Sequence, residues 1–115
     1  MTAHPKENAV RSEPYRRLVA ALPCINCHIE RMSQAAHPNT GKGGAIKTDD
    51  RDCFPLCHDG SPNRCHPRFD QGAMFSKPVR RVIEQEWGRQ TRLRLRELSL
   101  LDPSVCRVVD KVIGL

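Results

Sequence analysis

Aromatic side chains are scarce in this chain. There are one Trp, one Tyr and three Phe, 4% of the residues, within a hydrophobic share of 38%. So little apolar bulk in 115 residues makes a thin core. Small domains of that kind are commonly held by disulfides or by a metal. Long apolar runs are missing as well. Nothing approaches the roughly 18 consecutive apolar residues of a membrane span. Residues 1 to 10 are polar and lack the apolar centre of a secretory signal. These absences argue against a membrane-spanning or exported class and predict a cytoplasmic protein.

What the chain has in quantity is cysteine and positive charge. A cytoplasmic setting keeps thiols reduced, so the six cysteines favour metal binding over disulfides. Lys and Arg total 19 against 13 acids, a net charge of +6 with a pI near 9.3. A small, basic, metal-held domain points to nucleic acid as partner.

Taken in order, residues 1–11 read as a disordered arm without a periodic apolar face, and residues 12–115 as one domain. Ser12-Glu13-Pro14 is a helix start, an N-cap candidate followed by an acid and an early proline. Tyr15, Leu18, Val19 and Leu22 then recur at helical spacing, and Pro23 ends the helix. Residues 28–37 are expected to form a strand or hairpin arm ending at His37, and residues 52–56 a second strand. Between them, residues 38–46 are a glycine-rich loop. Its Gly41-Lys42-Gly43-Gly44 lacks the spacing of a Walker motif. A short helix is expected from Cys65 to no further than Gly72. Ser76-Lys77-Pro78 starts a long helix with a kink expected near Gly88, and Asp102-Pro103 starts a last one. The core is thus placed at 22–75 and the supporting helices at 77–113.

Cys24-x-x-Cys27 has the spacing of a zinc knuckle, two thiolates able to share one tetrahedral ion. Cys57 and Cys65 bracket a turn-rich loop, and Cys65 sits where a helix N-terminus favours thiolate. The expected structural zinc site is therefore Cys24, Cys27, Cys57 and Cys65. Cys53, four residues before Cys57, and His58 or His66 are rivals for a place in it. With the four-cysteine choice, Cys53 is left as the more reactive thiol. Cys106, among Val105, Val108 and Val109, reads as a buried inert one.

His37 follows Ala35-Ala36, His66 follows Cys65, and Asp70 stands four residues beyond His66 on the same expected helix face. A histidine on a hairpin facing two metal ligands on a helix suffices for phosphodiester hydrolysis. The order Cys-x-x-Cys, Ala-His, Lys-x-x-Asp, Pro-Leu-Cys and Cys-His resembles the HNH endonuclease superfamily. Cys-His-x-x-Phe-Asp-Gln-Gly followed by a basic helix resembles, within it, phage and prophage proteins related to the phage recombination-enhancement nuclease. The resemblance spans residues 22 to 90.

That resemblance implies an α+β fold, a ββα-metal hairpin and helix stapled by zinc in a treble-clef manner and flanked by helices. It implies His37 as general base, Asp50 (or Asp49, one register away) in the position that orients the catalytic loop, and His66 as ligand of a catalytic divalent cation such as Mg²⁺. Ala36 stands where many members carry a metal-binding Asp, and Asp50 where the usual residue is Asn. Asp70 is the candidate for the missing carboxylate.

DNA is the expected substrate, with recombination proteins as further partners. Lys42 and Lys47 on the loop, and Arg81, Arg89, Arg92 and Arg96 on the long helix, are the expected phosphate contacts. The four arginines fall within about 80° at 100° per residue. The rival reading is a non-catalytic zinc module that binds DNA or assists recombination.

Overall fold

The computed structural model describes residues 9–38, 48–72 and 74–115. Lys42, Lys47 and most of the expected N-terminal arm lie outside them. The elements are α1 (Glu13–Ala20), β1 (Ser33–Ala36), a 3-10 turn (Asp50–Asp52), β2 (Phe54–Cys57), α2 (Cys65–Asp70), α3 (Lys77–Ser99) and α4 (Pro103–Val112). The fold is the expected small α+β domain, an antiparallel hairpin with helices around it. No helix among the described residues is long and apolar enough to cross a membrane.

Local signals place the helices. Ser12 caps α1, its Oγ accepting the Tyr15 N–H at 3.2 Å. Asp102 caps α4 by accepting from the Ser104 N–H at 2.9 Å. Such caps satisfy helix N–H groups that have no partner within the helix. Each of these helices also carries an early proline, where a missing N–H costs nothing.

The strands pair Ala36 with Phe54, Ala35 with Pro55, Gln34 with Leu56 and Ser33 with Cys57. A proline in a two-stranded sheet must keep its missing N–H on the outer side. Pro55 does so, and its carbonyl, on that same outer edge, accepts the Ile25 N–H at 2.9 Å. The knuckle segment is thereby tied to β2.

Two clusters of buried side chains use the two faces of the hairpin. Ala36, Phe54, Leu56 and Phe69 pack with Cys24, Cys57 and Cys65, joined by half-buried Trp87. Phe54 meets Phe69 edge-on at 5.6 Å and Trp87 at 5.4 Å. The second cluster holds Tyr15, Val19, Leu22, Cys53, Leu95 and Val109, with Ala35 against it. Strand alternation thus sends Ala36 toward α2 and Ala35 toward α1.

The expected kink near Gly88 is absent, for α3 runs unbroken through it. Gly88 is buried, and a Cβ there would stand 3.2 Å from the Asp52 carbonyl oxygen. Its role is close approach of α3 to the 3-10 turn, not a bend. Arg92 reinforces that contact, donating to the Arg51 carbonyl at 3.0 Å. Gly88→Leu should therefore push α3 off the turn and cost about 1–3 kcal/mol, as overpacking does. Urea denaturation measures the loss.

Candidate metal centre and histidine pairs

The knuckle delivers two cysteines to one point. The Cys24 N–H donates to the Ile29 carbonyl at 2.9 Å, and the His28 N–H to the Cys24 carbonyl at 2.8 Å. His28 takes a left-handed conformation, φ 69°, to close the turn and stays exposed. Cys57 ends β2 and Cys65 begins α2, so the loop between them needs only to return the chain. Arg64, φ 49°, makes the left-handed step into α2. Ser61 Oγ accepts the Arg64 N–H at 3.0 Å.

The sulfurs of Cys24, Cys27, Cys57 and Cys65 lie within 4.8 Å of one another. A tetrahedral zinc with bonds of 2.3 Å has sulfur–sulfur edges of about 3.8 Å. Cys27 and Cys57 stand 3.8 Å apart, so the geometry fits the ion. N–H groups support the sulfurs. The Cys65 N–H faces Cys57 Sγ at 3.3 Å, Asn26 Nδ2 faces Cys65 Sγ at 3.3 Å, and the Cys27 N–H faces Cys24 Sγ at 3.5 Å.

Without a cation the cluster resists ionisation. Burial first, then neighbouring sulfurs, pushes the Cys65 thiol up to about 12, despite the Asn26 contact. Burial also raises Cys24. Cys27 is the exception. Burial acts upward there too, but hydrogen bonds from the Asn63 side chain and the Ile29 backbone bring it down to about 7. A divalent ion reverses the balance, because a coordinating thiol is deprotonated outright. Among the described residues this is the one group of three or more side chains with metal-ligand geometry.

None of the three rivals, Cys53, His58 and His66, belongs to it. His58 uses Nδ1 to accept the Gly60 N–H at 2.9 Å. Cys53 lies wholly buried in the α1-side cluster. Cys53 was expected to be the more reactive thiol, and here the structure corrects the sequence. Burial, with Asp50 nearby, pushes its pKa up to about 12. Cys106, expected to be buried, is only half-buried.

The remaining candidates form two pairs. On the α1 side, His37 Nε2 lies 2.8 Å from Asp50 Oδ1. Asp50 is fully buried, and its other oxygen accepts the Ser12 N–H at 2.6 Å and pairs with Arg16. Burial alone would raise its pKa. The Ser12 amide, His37 and Arg16 outweigh that and hold the carboxyl below its ordinary value. This stabilisation is present above about pH 4 and is lost as pH falls toward the lowered folded pKa. Asp50 donates its N–H to the Val10 carbonyl at 2.8 Å, and Asp49 Oδ2 accepts the Val10 N–H at 3.1 Å. The end of the expected arm is thus bonded to this turn. Asp49 is engaged with Arg51 as well, so of the two neighbouring acids it is Asp50 that meets His37.

On the α2 side, His66 Nδ1 lies 2.8 Å from Gln34 Oε1, and its Nε2 lies 3.3 Å from Asp70 Oδ2. Helix spacing makes this i,i+4 pair, and β1 supplies the glutamine. Gln34 carried no sequence signal. Its place on the α2 face of the strand follows only once the register is known.

The arginines of α3 divide. Arg81 and Arg89 are exposed, with Arg89 paired to Glu86 at 2.6 Å. Arg92 reaches the 3-10 turn, and Arg96 donates to the carbonyls of Gly114 and Ile113 at 2.9 and 3.0 Å. The stripe that looked uniform in sequence is therefore half committed to holding the protein together.

Compared with protein-family models, curated proteins and solved structures, the chain matches none. Fold and site define its class: a small α+β domain whose four-cysteine cluster fits a structural zinc ion.

Purified protein should carry one zinc per chain, and chelation should unfold it, since binding and folding are coupled in such domains. Thiol titration of the native zinc form should then find Cys106 reactive and Cys53 silent until unfolding, read by peptide mass mapping. Separately, Asp50→Asn should leave Arg16 uncompensated and cost about 3 kcal/mol, the low end for breaking a buried pair, because Arg16 remains 32% exposed. Denaturant titration at neutral pH measures it.

Proposed function

We propose that this protein is a metal-dependent, HNH-like DNA endonuclease of the phage type. The observation that carries the proposal is the His37–Asp50 contact. A carboxylate held ionised and fully buried accepts the Nε2–H of His37. The ring is then fixed in the tautomer whose Nδ1 lone pair can take a proton. In that role His37 removes a proton from water, and Asp50 stabilises the imidazolium that results.

His66 and Asp70, one turn apart on a six-residue helix packed on the same hairpin, supply a nitrogen and a carboxylate donor. Mg²⁺ keeps waters and takes one or two protein carboxylates together with substrate phosphates, so a two-donor site suits it. When bound there, such a cation supplies charge neutralisation at the phosphate and the leaving oxygen. Surface cations, exposed Arg81 of the expected set among them, would hold the DNA backbone. The net charge of +6 supports the same partner.

A second reading is a zinc-stabilised DNA-binding or recombination accessory module without catalysis. Ala36 favours it, because that side chain is apolar and buried where a metal-binding Asp would stand in the superfamily.

Plasmid nicking with Mg²⁺, with Mn²⁺ and with neither separates the two. We expect wild type to cut with a divalent cation. His37→Ala should keep zinc and DNA affinity and lose about 10² to 10⁴ in rate. His66→Ala should also lose activity, with partial rescue by more Mg²⁺. If wild type cuts no DNA form under any of these conditions, the accessory-module reading stands.

A further inference from the structure

The long helix α3 has two faces, and among the described residues only one is covered by its own chain. Glu84, Gly88, Thr91, Leu95 and Ser99 are buried toward the domain. On the far side lie Val79, Val82, Leu93 and Leu100, which are 47%, 69%, 50% and 85% exposed. At 100° per residue these four, with Glu86 and Arg89, fall in an arc of about 80° centred opposite the buried face. From Val79 to Leu93 the spacing alternates three and four residues, the heptad seam of a coiled coil, and Leu100 stands seven residues beyond Leu93. Large apolar residues gathered in this way on an otherwise polar helix mark a contact surface.

The charges in the seam indicate what covers it. In the middle stand Glu86 and Arg89, one of each sign. Set two copies of α3 antiparallel about the midpoint between them. Glu86, already paired with Arg89 of its own helix at 2.6 Å, then also meets Arg89 of the other copy, so that the two pairs join in one alternating network, and Val82 meets Leu93 of the other copy twice. Set the copies parallel and in register, and Glu86 meets Glu86 and Arg89 meets Arg89. The seam is its own complement only when reversed, which is the property of a two-fold symmetric interface.

We propose that the protein forms an antiparallel homodimer through the outer face of α3, with Val82 and Leu93 as its apolar layers and Glu86 and Arg89 setting its direction. This surface is separate from the four-cysteine site and from both histidine pairs, so the proposal does not depend on the nuclease reading.

Sedimentation equilibrium of the full, zinc-loaded chain tests it. The expected mass is twice 13.0 kDa, and Leu93→Glu should reduce it to the monomer mass. Glu86→Arg should also give monomer, and adding Arg89→Glu to it should restore the dimer. Zinc content and helix circular dichroism should be unchanged throughout, which separates a lost interface from a lost fold. Val82→Cys mixed with Leu93→Cys should form a cross-chain disulfide under mild oxidation, whereas Val82→Cys alone should not. A wild type that stays monomeric at every concentration overturns the proposal and leaves the seam to a helix of another protein. A dimer that survives Leu93→Glu, or a Val82→Cys chain that cross-links to itself, overturns it as well.

Discussion

Four sulfur atoms within 4.8 Å of one another join three segments that otherwise have little to hold them. Each strand of the hairpin is four residues long, and an isolated two-stranded hairpin is at best marginal in water. Helix α2 has six residues, too few to be stable alone. The cluster ties the knuckle to the end of β2 and the start of α2. Burial raises the Cys24 and Cys65 thiols, so the cluster is poorly disposed to ionise by itself. The preference of thiolates for zinc would turn that into a cation-dependent staple. The apolar residues around it, few as they are, then need only exclude water from one side.

Asp50 is the counterpart on the other side of the hairpin. A buried carboxylate must find donors or neutralise, and this one gathers the Ser12 amide, Arg16 and His37. It thereby docks the start of α1 against the turn that leads into β2. The contact that orients His37 is the same contact that places α1. A constraint on folding and a constraint on the candidate base are thus met by one side chain. The two histidine pairs are held by different means, one by a buried ion pair and the other by helix spacing with a glutamine from the neighbouring strand.

The long helix shows how one element serves several neighbours. Glycine at position 88 lets α3 approach the 3-10 turn. Trp87 fills the aromatic cluster with Phe54, Phe69 and Phe75. Arg80 lies over Phe69, while Arg92 and Arg96 close the turn and the C-terminal end by bonding carbonyls. A basic helix in a thin-cored protein therefore uses part of its charge as structural glue. Only the remainder is left for a partner.

The sequence by itself determined the features that depend on near neighbours along the chain. Ser12 and Asp102 cap their helices because capping acts over two or three residues. The knuckle is legible because two cysteines three apart can reach one ion. Cys57 and Cys65 join them because a strand end and a helix start put both where the loop returns. The His66–Asp70 pair follows from helical spacing alone. Tertiary structure decided the rest, because it depends on register and on packing between distant segments. The partner of His37 is 13 residues away, and that of Asp50 is 34 residues away in Arg16. Gln34 reaches His66 only through the pairing of β1 with β2. Gly88 read as a weak point in a helix, since the carbonyl of Asp52 that it accommodates has no trace in local sequence. Arg92 and Arg96 read like Arg81 and Arg89, since spacing gives an angle around the helix and not what stands opposite. Cys53 read as a spare thiol, but only the packing of α1, α3 and α4 around it decides that it is shut away from solvent.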